Sequence, residues 1–390
     1  MIGGRFRVAA AALLLGSSLC ATVLAAGPEK ALSGVLEAIE TNQLDLATRR
    51  VEALLATHPN FRLGHLIRGD LLLARARPLE TFGNVPKTVP REKVDDLRAE
   101  ALLRLRALRD RPNADLLPRY VLQMQPEQKH AVVVDSRRSR LFVFENVGGR
   151  PQFVADYYVT LGKNGVEKTR EGDQKTPIGV YHITANLPRQ KLTDFYGSGA
   201  FPINYPNAWD KRMGRNGHGI WLHGTPSDTY NRAPRASDGC IVLANADLDA
   251  VGRYLQVGLT PVIIANEIEW VDGAGLEAER KALAGALDAW RGDWESRDAA
   301  RYLSHYAAKF SADGQDLAAW AEHKRKVNAG KAWIKVGLGR VSMFQYPREN
   351  FVVVNFDQDY RSSNLSNVMR KRQYWIKENA RWRILYEGGA

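Results

Sequence analysis

Cysteine is almost missing from this chain: there are two in 390 residues, Cys20 and Cys240. Long apolar runs are missing too, and a membrane-spanning helix would need roughly 20 such residues in a row. The best candidate runs only from Ala9 to Leu15. With Arg5 and Arg7 before it and small residues ending Leu24-Ala25-Ala26 after it, this stretch reads as an export signal over residues 1–26, cleaved near Ala26. Leu19 stands where a lipid-attachment motif at Cys20 would want a small residue, so Cys20 is expected to leave with the signal. A single thiol remains. That excludes an internal disulfide framework and leaves stability to ordinary cores. It also makes Cys240 an accident, a link to another chain, or a working group.

Acidic residues are outnumbered, 43 against 55 basic, for a formal charge of +12 that falls to +10 once Arg5 and Arg7 depart. A basic surface suits an anionic polymer. The export signal directs that expectation away from nucleic acid and towards the periplasm and cell envelope, where peptidoglycan carboxylates and anionic lipids are the available polyanions. A solvated basic surface would explain the charge equally well. Nor is any metal or cofactor expected, because His58, His65, His130, His182, His305 and His323 show no ligand spacing.

Internal repeats and low-complexity tracts are absent, and the periodicity divides the chain into a multidomain protein. Residues 28–115 read as a helical, tetratricopeptide-like region. Leu32, Val35, Leu36 and Ile39 keep a helical period, as do Val51, Leu54 and Leu55, and His58-Pro59-Asn60 stops that run before Leu63, Leu66 and Ile67. One such helix pair cannot bury both faces, so it calls for a neighbour, either in this chain or in a homodimer through these helices. Arg77 to Arg91 reads as a loop. The next helix, Glu92 to Arg109, is expected to turn Val94, Leu97, Ala101, Leu105 and Leu108 inward and its arginines to solvent.

Residues 120–268 change to a strand period: His130 to Val134 and Arg140 to Phe144 as a hairpin, then Phe153 to Leu161, Gly179 to Ile183, Ile220 to His223, and Pro261 to Ile264 closing the unit. One helix is expected from Ala246 to Val257, capped by Asn245 and Gly258. Residues 276–390 read as an α+β cone. A helix from Glu277 to Arg297 places Leu283, Leu287, Trp290 and Trp294 on one face, a second continues through Tyr302, Tyr306 and Phe310, and four strands follow between Ala332 and Tyr386. Aromatics this dense are more often core than ligand cage.

Chemistry gathers in the segment from Gly219 to Leu243. A thiol attacks as thiolate, and a free thiol with a pKa near 8.5 is mostly protonated at neutral pH. His223 can take its proton, and the imidazolium then favours the thiolate. Gly224 lets the chain turn sharply behind the histidine. Gly239 admits close approach of a substrate, which makes the amides of Gly239 and Cys240 candidates for an oxyanion hole. If the strand reaches back to His218, alternation puts that residue on the face opposite His223, in a structural role. Asp238 would raise the thiol pKa if it pointed at the sulfur, so it is expected to point away.

The segment resembles the active-site signature of the YkuD-type L,D-transpeptidases, with His223-Gly224-Thr225 and Ser237-Asp238-Gly239-Cys240. Upstream, Gly172 to Gly179 includes the similar element Thr176-Pro177-Ile178-Gly179, and Val133-Val134-Asp135 with Arg140-Leu141 resembles the opening hairpin. Downstream, Gly258-Leu259-Thr260-Pro261-Val262 is similar to the closing strand. The resemblance covers about Lys129 to Ala265. It implies a mostly β catalytic domain in which Cys240 attacks the carbonyl of diaminopimelate in a peptidoglycan stem tetrapeptide and expels D-alanine. The thioester then passes to an amine or to water, with His223 as base and then acid. A backbone carbonyl is expected to orient the histidine. Ser237, Gly224, Thr225, Arg235 and Trp221 are the expected substrate-binding residues. Two family arginines are replaced by Asp238 and Val242, so Arg235, Arg232 or Arg215 must hold a substrate carboxylate instead.

The three-part architecture also resembles the cell-shape-determining L,D-carboxypeptidases, with a C-terminal nuclear-transport-factor-2 or SnoaL-like domain. That likeness rests on Trp290, Trp294, Trp320, His323-Lys324, Gln373-Tyr374-Trp375 and Trp382. Two other functions are open: an amidase releasing proteins from diaminopimelate, which would use the same Cys240 and His223, and a peptidoglycan-binding scaffold that has kept a catalytic fold while the C-terminal cone does the binding.

Overall fold

The computed structural model describes residues 28–390 apart from 111, 114 and 313; the expected export signal and Cys20 lie outside the described residues. Four helices come first, α1 (Pro28–Glu40), α2 (Leu44–Thr57), α3 (Arg62–Ala74) and α4 (Arg91–Arg109). Leu32, Val35, Val51, Leu54 and Ile67 form their core, on the helical period read from the sequence. Leu97 and Ala101 of α4, with Tyr230 from far downstream, cover the face that called for a neighbour. The arginine face of α4 departs from expectation. Arg104 is 4% exposed and Glu100 1%, because α4 lays this ion pair, rather than Leu105 and Leu108, against the rest of the protein.

Short strands β1 (Leu116–Pro118) and β2 (Val121–Gln123) lead into β3 (His130–Asp135), β4 (Arg140–Val147), β5 (Arg150–Tyr158), β6 (Leu161–Gly162), β7 (Gly179–His182), β8 (Leu187–Pro188) and β9 (Gly199–Pro202). After α5 (Ala208–Arg212) come β10 (Trp221–His223), β11 (Arg235–Ser237), β12 (Ile241–Val242), α6 (Asn245–Gly252), β13 (Pro261–Ala265) and β14 (Trp270–Asp272). The expected hairpin is β3 with β4, His130 opposite Glu145. One sheet runs β5-β4-β3-β13-β7 and another β12-β10-β9-β8. The last strand of the unit therefore does not close it at an edge: β13 lies between β3, parallel, and β7, antiparallel.

The C-terminal part holds α7 (Gly273–Ser296), α8 (Ala299–Leu303), β15 (Tyr306–Ala312), β16 (Gln315–Asp316), α9 (Leu317–Ala329), β17 (Ile334–Gln345), β18 (Phe351–Ser362), β19 (Leu365–Glu378) and β20 (Arg381–Gly389). The helix α9 has no counterpart in the sequence reading. Tyr306 and Phe310 sit on a strand, not a second helix; a spacing of four keeps one face in either structure, so the period could not separate them. The sheet β16-β15-β20-β19-β18-β17-β2 wraps Trp290, Trp294, Phe356 and Trp375. Its edge strand β2 comes from ahead of the catalytic unit, with Val121 opposite Phe344.

Apolar runs without alternation mark a sheet buried on both faces. Val132 and Val134, Leu141 and Val143, and Val262 and Ile264 pack into the catalytic core around Leu222 and Ile241. The residues between them, Ala131, Val133, Phe142, Phe144 and Ile263, pack against Phe344, Tyr346, Phe351, Val353 and Tyr374 of the C-terminal sheet. The two units thus share one core. Phe144→Ala should lower unfolding free energy by about 3–5 kcal/mol in urea denaturation, since a fully buried aromatic is lost from a close-packed core. A loss below about 1 kcal/mol would mean that the shared core contributes little.

Candidate active site

Strands β10 and β12 are parallel neighbours, Leu222 opposite Ile241 and His223 opposite Val242. Leu222 and Ile241 point into the core. Strand alternation therefore sends Trp221, His223 and Cys240 to the other face together. His223 is buried, and its Nδ1–H donates to the carbonyl of Gly224 at 2.7 Å. A carbonyl only accepts, so this bond fixes the proton on Nδ1 and leaves Nε2 with a free lone pair. The orienting carbonyl is thus the histidine's own neighbour. Tyr196 sits edge-on at 5.2 Å and Phe195 tilted at 5.7 Å from the imidazole.

Asn245 holds that carbonyl's segment in place. Its Oδ1 accepts from the amides of Ser198 (2.9 Å) and Thr225 (3.2 Å), and its Nδ2 donates to Thr225 O at 2.9 Å. A Cβ on Gly224 would fall 2.1 Å from Asn245 Oδ1, so the glycine is required by close approach. Asn245 is not the expected helix cap: α6 begins at Asn245 itself, its N-cap is Ala244 without a side-chain cap bond, and it ends at Gly252. A cap motif is what an asparagine before a helix suggests locally, and only the fold shows where its amide goes.

The turn before Cys240 is equally tied down. Ser237 Oγ donates to Cys240 O at 2.7 Å and accepts from Gly239 N at 3.1 Å, while Thr176 Oγ1 donates to Gly239 O at 3.0 Å. Gly239 has φ +125°, and a Cβ there would stand 2.7 Å from Lys175 O. Both polar groups of the Gly239 backbone are therefore engaged in the turn, which corrects its expected part as an oxyanion donor. Among the described residues the Cys240 N–H has no acceptor, so it stays available.

Other expectations are redistributed. Ser237 and Thr225 are buried, with the Thr225 hydroxyl donating to Thr229 O (2.7 Å), so both build the site rather than line it. Gly224 serves through its carbonyl. Trp221 remains half-buried at the site, its ring 4.9 Å from that of Tyr196. Arg215 is committed to buried Asp210 at 3.0 Å, and Arg235 donates to Ser136 O at 3.3 Å. Arg232 is the arginine whose charge reaches both Cys240 and His223. Asp238 pairs with Lys163 at 2.9 Å on the exposed side, as expected, although its charge still acts on the thiol. His218 is neither core nor strand: its side chain is 78% exposed, 3.4 Å from Glu171. The sequence reading missed Asn245 as a bracket, and also the aromatic pair Phe195-Tyr196.

Burial pushes the Cys240 thiol up; a backbone bond from Trp221 and the charges of Arg232 and Lys168 oppose this, while Asp238 adds to it. Burial pushes His223 down to about 4, aided by Arg232 and opposed by the Gly224 bond. The resting pair is therefore neutral thiol and neutral imidazole. The thiol donates to Gly219 O at 3.3 Å rather than to the imidazole. In the cone, burial lowers Lys324 to about 8, and its Nζ lies 4.2 Å from the Trp320 ring. Burial alone would raise Glu387, but Lys371, at 2.8 Å, and Lys324 hold it below the usual carboxylate range.

A carbonyl-tethered imidazole, and a thiol just ahead of the neighbouring strand, lie on a mixed β unit fused to an aromatic-filled cone, which defines a multidomain protein with a histidine–cysteine motif. Residues 129–264 match the L,D-transpeptidase catalytic domain family YkuD, and residues 282–388 match the Cds6 C-terminal NTF2-like domain. The structure of Bd1075 from Bdellovibrio bacteriovorus superposes with TM-score 0.62 at 30% identity, covering 71% of this chain and 98% of that one. The helical cell shape determining protein Pgp2 from Campylobacter jejuni gives 0.60 at 25%, covering 70% and 95%. The putative L,D-transpeptidase YafK of Escherichia coli is 27% identical over 120 residues, 30% of this chain and 44% of that protein, so the chain spans less than half of that relative. The chain belongs to the YkuD L,D-transpeptidase family and carries an NTF2-like C-terminal domain.

A neutral, partly buried thiol should resist alkylation. Iodoacetamide at pH 7 should modify Cys240 more slowly than free cysteine, with the rate rising only above the ordinary thiol pKa of about 8.5. Faster reaction at pH 6 than free cysteine would instead reveal a preformed thiolate–imidazolium pair.

Proposed function

We propose that this protein is an exported peptidoglycan-modifying enzyme that cleaves the diaminopimelate–D-alanine bond of stem tetrapeptides through a thioester on Cys240. The observation that carries this reading is the His223 Nδ1–H bond to the Gly224 carbonyl, which leaves Nε2 basic on the face shared with Cys240. In the first step Nε2 takes the thiol proton as Sγ bonds to the substrate carbonyl carbon. The oxygen of that carbonyl gathers negative charge, and the free Cys240 N–H is suited to meet it. The C–N bond then breaks, His223 returns the proton to the leaving amine, and D-alanine departs. Water or an amine attacks the thioester, with His223 again as base, giving a tripeptide or a cross-link.

A neutral resting pair fits general-base catalysis: the proton moves only as the carbon–sulfur bond forms, and burial limits water at the thioester. The basic composition suits an anionic wall polymer in the periplasm.

Purified disaccharide tetrapeptide incubated with the protein should lose D-alanine, followed by mass spectrometry, while Cys240→Ala should give no product. His223→Gln should lower kcat/KM by about 10²–10⁴, the usual span for a general base. Tripeptide would mark the carboxypeptidase outcome, and a heavier dimer or an exchanged terminal residue the transpeptidase outcome. Intact tetrapeptide in the wild-type sample would sink the proposal. Because His223 must be neutral to act and its pKa is lowered to about 4, the acid limb of kcat/KM should lie well below the ordinary histidine value of about 6.5. An acid limb near 6.5 would show that burial does not govern this group.

A further inference from the structure

The segment between His223 and Cys240 is gripped by the N-terminal helices at consecutive residues. The Tyr230 ring sits within the helical core, 4.6 Å from Phe61 and 5.1 Å from His58. Asn231 Nδ2 donates to Glu100 Oε1 at 2.6 Å. That carboxylate is buried and also takes Arg104 Nε at 2.9 Å. The Arg104 guanidinium lies 3.9 Å over the ring of Tyr158. Tyr158 OH then donates to the carbonyl of Arg232 at 3.1 Å, beside Thr160 Oγ1 at 2.9 Å. A continuous path of packed and hydrogen-bonded groups thus runs from α4 to the backbone of Arg232. The Arg232 guanidinium stands 4.7 Å over Phe195 at the site, and among the described residues it is in no ion pair.

Helix α4 gains nothing locally from burying Glu100 and Arg104, since a buried ion pair stabilises little over apolar packing. What the pair does supply is directional: a fixed acceptor for Asn231 and a flat cation for Tyr158.

We propose that the N-terminal helices are a positioning element of the active site: by holding Tyr230 and Asn231 they set the Arg232 guanidinium over Phe195, the ring that faces His223, where it receives a carboxylate of the stem peptide. The carboxylate part of this rests on the function proposed above; the positioning part does not. Arg232 then does the work of the two arginines replaced by Asp238 and Val242, from a different point in the chain. Tyr230, Asn231, Glu100 and Arg104 are positioning residues, since none of them touches the reacting atoms.

The test uses the full chain with Arg232→Gln, Asn231→Ala, Tyr230→Ala and Tyr230→Phe. Circular dichroism and thermal unfolding confirm folding, and Asn231→Ala, which deletes one hydrogen bond, serves if Tyr230→Ala does not fold. Tyr230→Phe keeps the ring and should behave as wild type. The first readout is the pH profile of Cys240 alkylation. The charged groups acting on the thiol are Arg232, Lys168 and Asp238, and the neutral His223 lies on the neighbouring strand. Only Arg232 belongs to the gripped segment. Arg232→Gln removes a cation that favours the thiolate, so its profile should move to higher pH, and Asn231→Ala and Tyr230→Ala should move it the same way.

The second readout is steady-state kinetics on tetrapeptide, beside tetrapeptide whose carboxylates are amidated. The three loss variants should raise KM on the order of 10-fold for the carboxylate form, as expected for a lost charge-assisted bond, with little change in kcat and none for the amide form. If Arg232→Gln shifts the profile and KM while Asn231→Ala and Tyr230→Ala match wild type, the helices do not position it and the proposal falls. It falls equally if Arg232→Gln changes neither readout. A shifted alkylation profile in all three loss variants, with no turnover of tetrapeptide by wild type, would uphold the positioning and refute the substrate instead.

Discussion

A single short hydrogen bond, from His223 Nδ1 to the carbonyl of Gly224, decides what the rest of the site can do. A base needs one lone pair free and aimed, and the bond supplies this by occupying the other ring nitrogen. A backbone carbonyl carries no net charge, so it orients the imidazole without the pull a carboxylate would exert towards imidazolium. Burial carries the His223 pKa down to about 4 against the opposing pull of this bond, and the ring stays neutral. Much of the surrounding structure serves to hold that one carbonyl still. Asn245 clamps Thr225 on both sides of its peptide unit, and the glycine at 224 admits the amide oxygen where any side chain would collide.

Cys240 is constrained by the same means from the neighbouring strand. Ser237 and Thr176 consume the polar groups of Gly239, so the turn before Cys240 has little freedom and the sulfur arrives on the face that His223 occupies. Since the thiol is raised by burial, the pair rests uncharged.

The three parts of the chain are more closely joined than their periodicities suggest. The catalytic sheet has its second face buried by the C-terminal sheet, and β2 leaves the chain ahead of the catalytic unit to lengthen that C-terminal sheet. The helices reach the catalytic unit through Tyr230 and through the ion cluster of Glu29, Glu100, Arg104 and Arg140. Burying charge on this scale is costly unless every member is paired. Here each carboxylate faces a guanidinium.

Sequence by itself determined the three-part division, the helix and strand periods of most elements, and the motif that sets His223-Gly224 ahead of a lone Cys240. Those are local or one-dimensional properties: period 3.6 against period 2, a glycine behind a histidine, a cysteine without a partner. The apolar runs of β3, β4 and β13 are legible as strands, and only the fold shows that both of their faces are buried. Only the tertiary structure decided which carbonyl orients His223, that the amide of Gly239 is spent on Ser237, that Asn245 brackets Thr225 instead of capping α6, and which arginine stands over Phe195. Arg215, Arg232 and Arg235 are equivalent in a sequence, being cations within a few residues of one motif. Their fates diverge because Arg215 is taken by buried Asp210 five residues before it, whereas the ring of Phe195 and the carbonyl of Ser136 come from distant parts of the chain, and only folding fixes which partner lies within reach of which guanidinium.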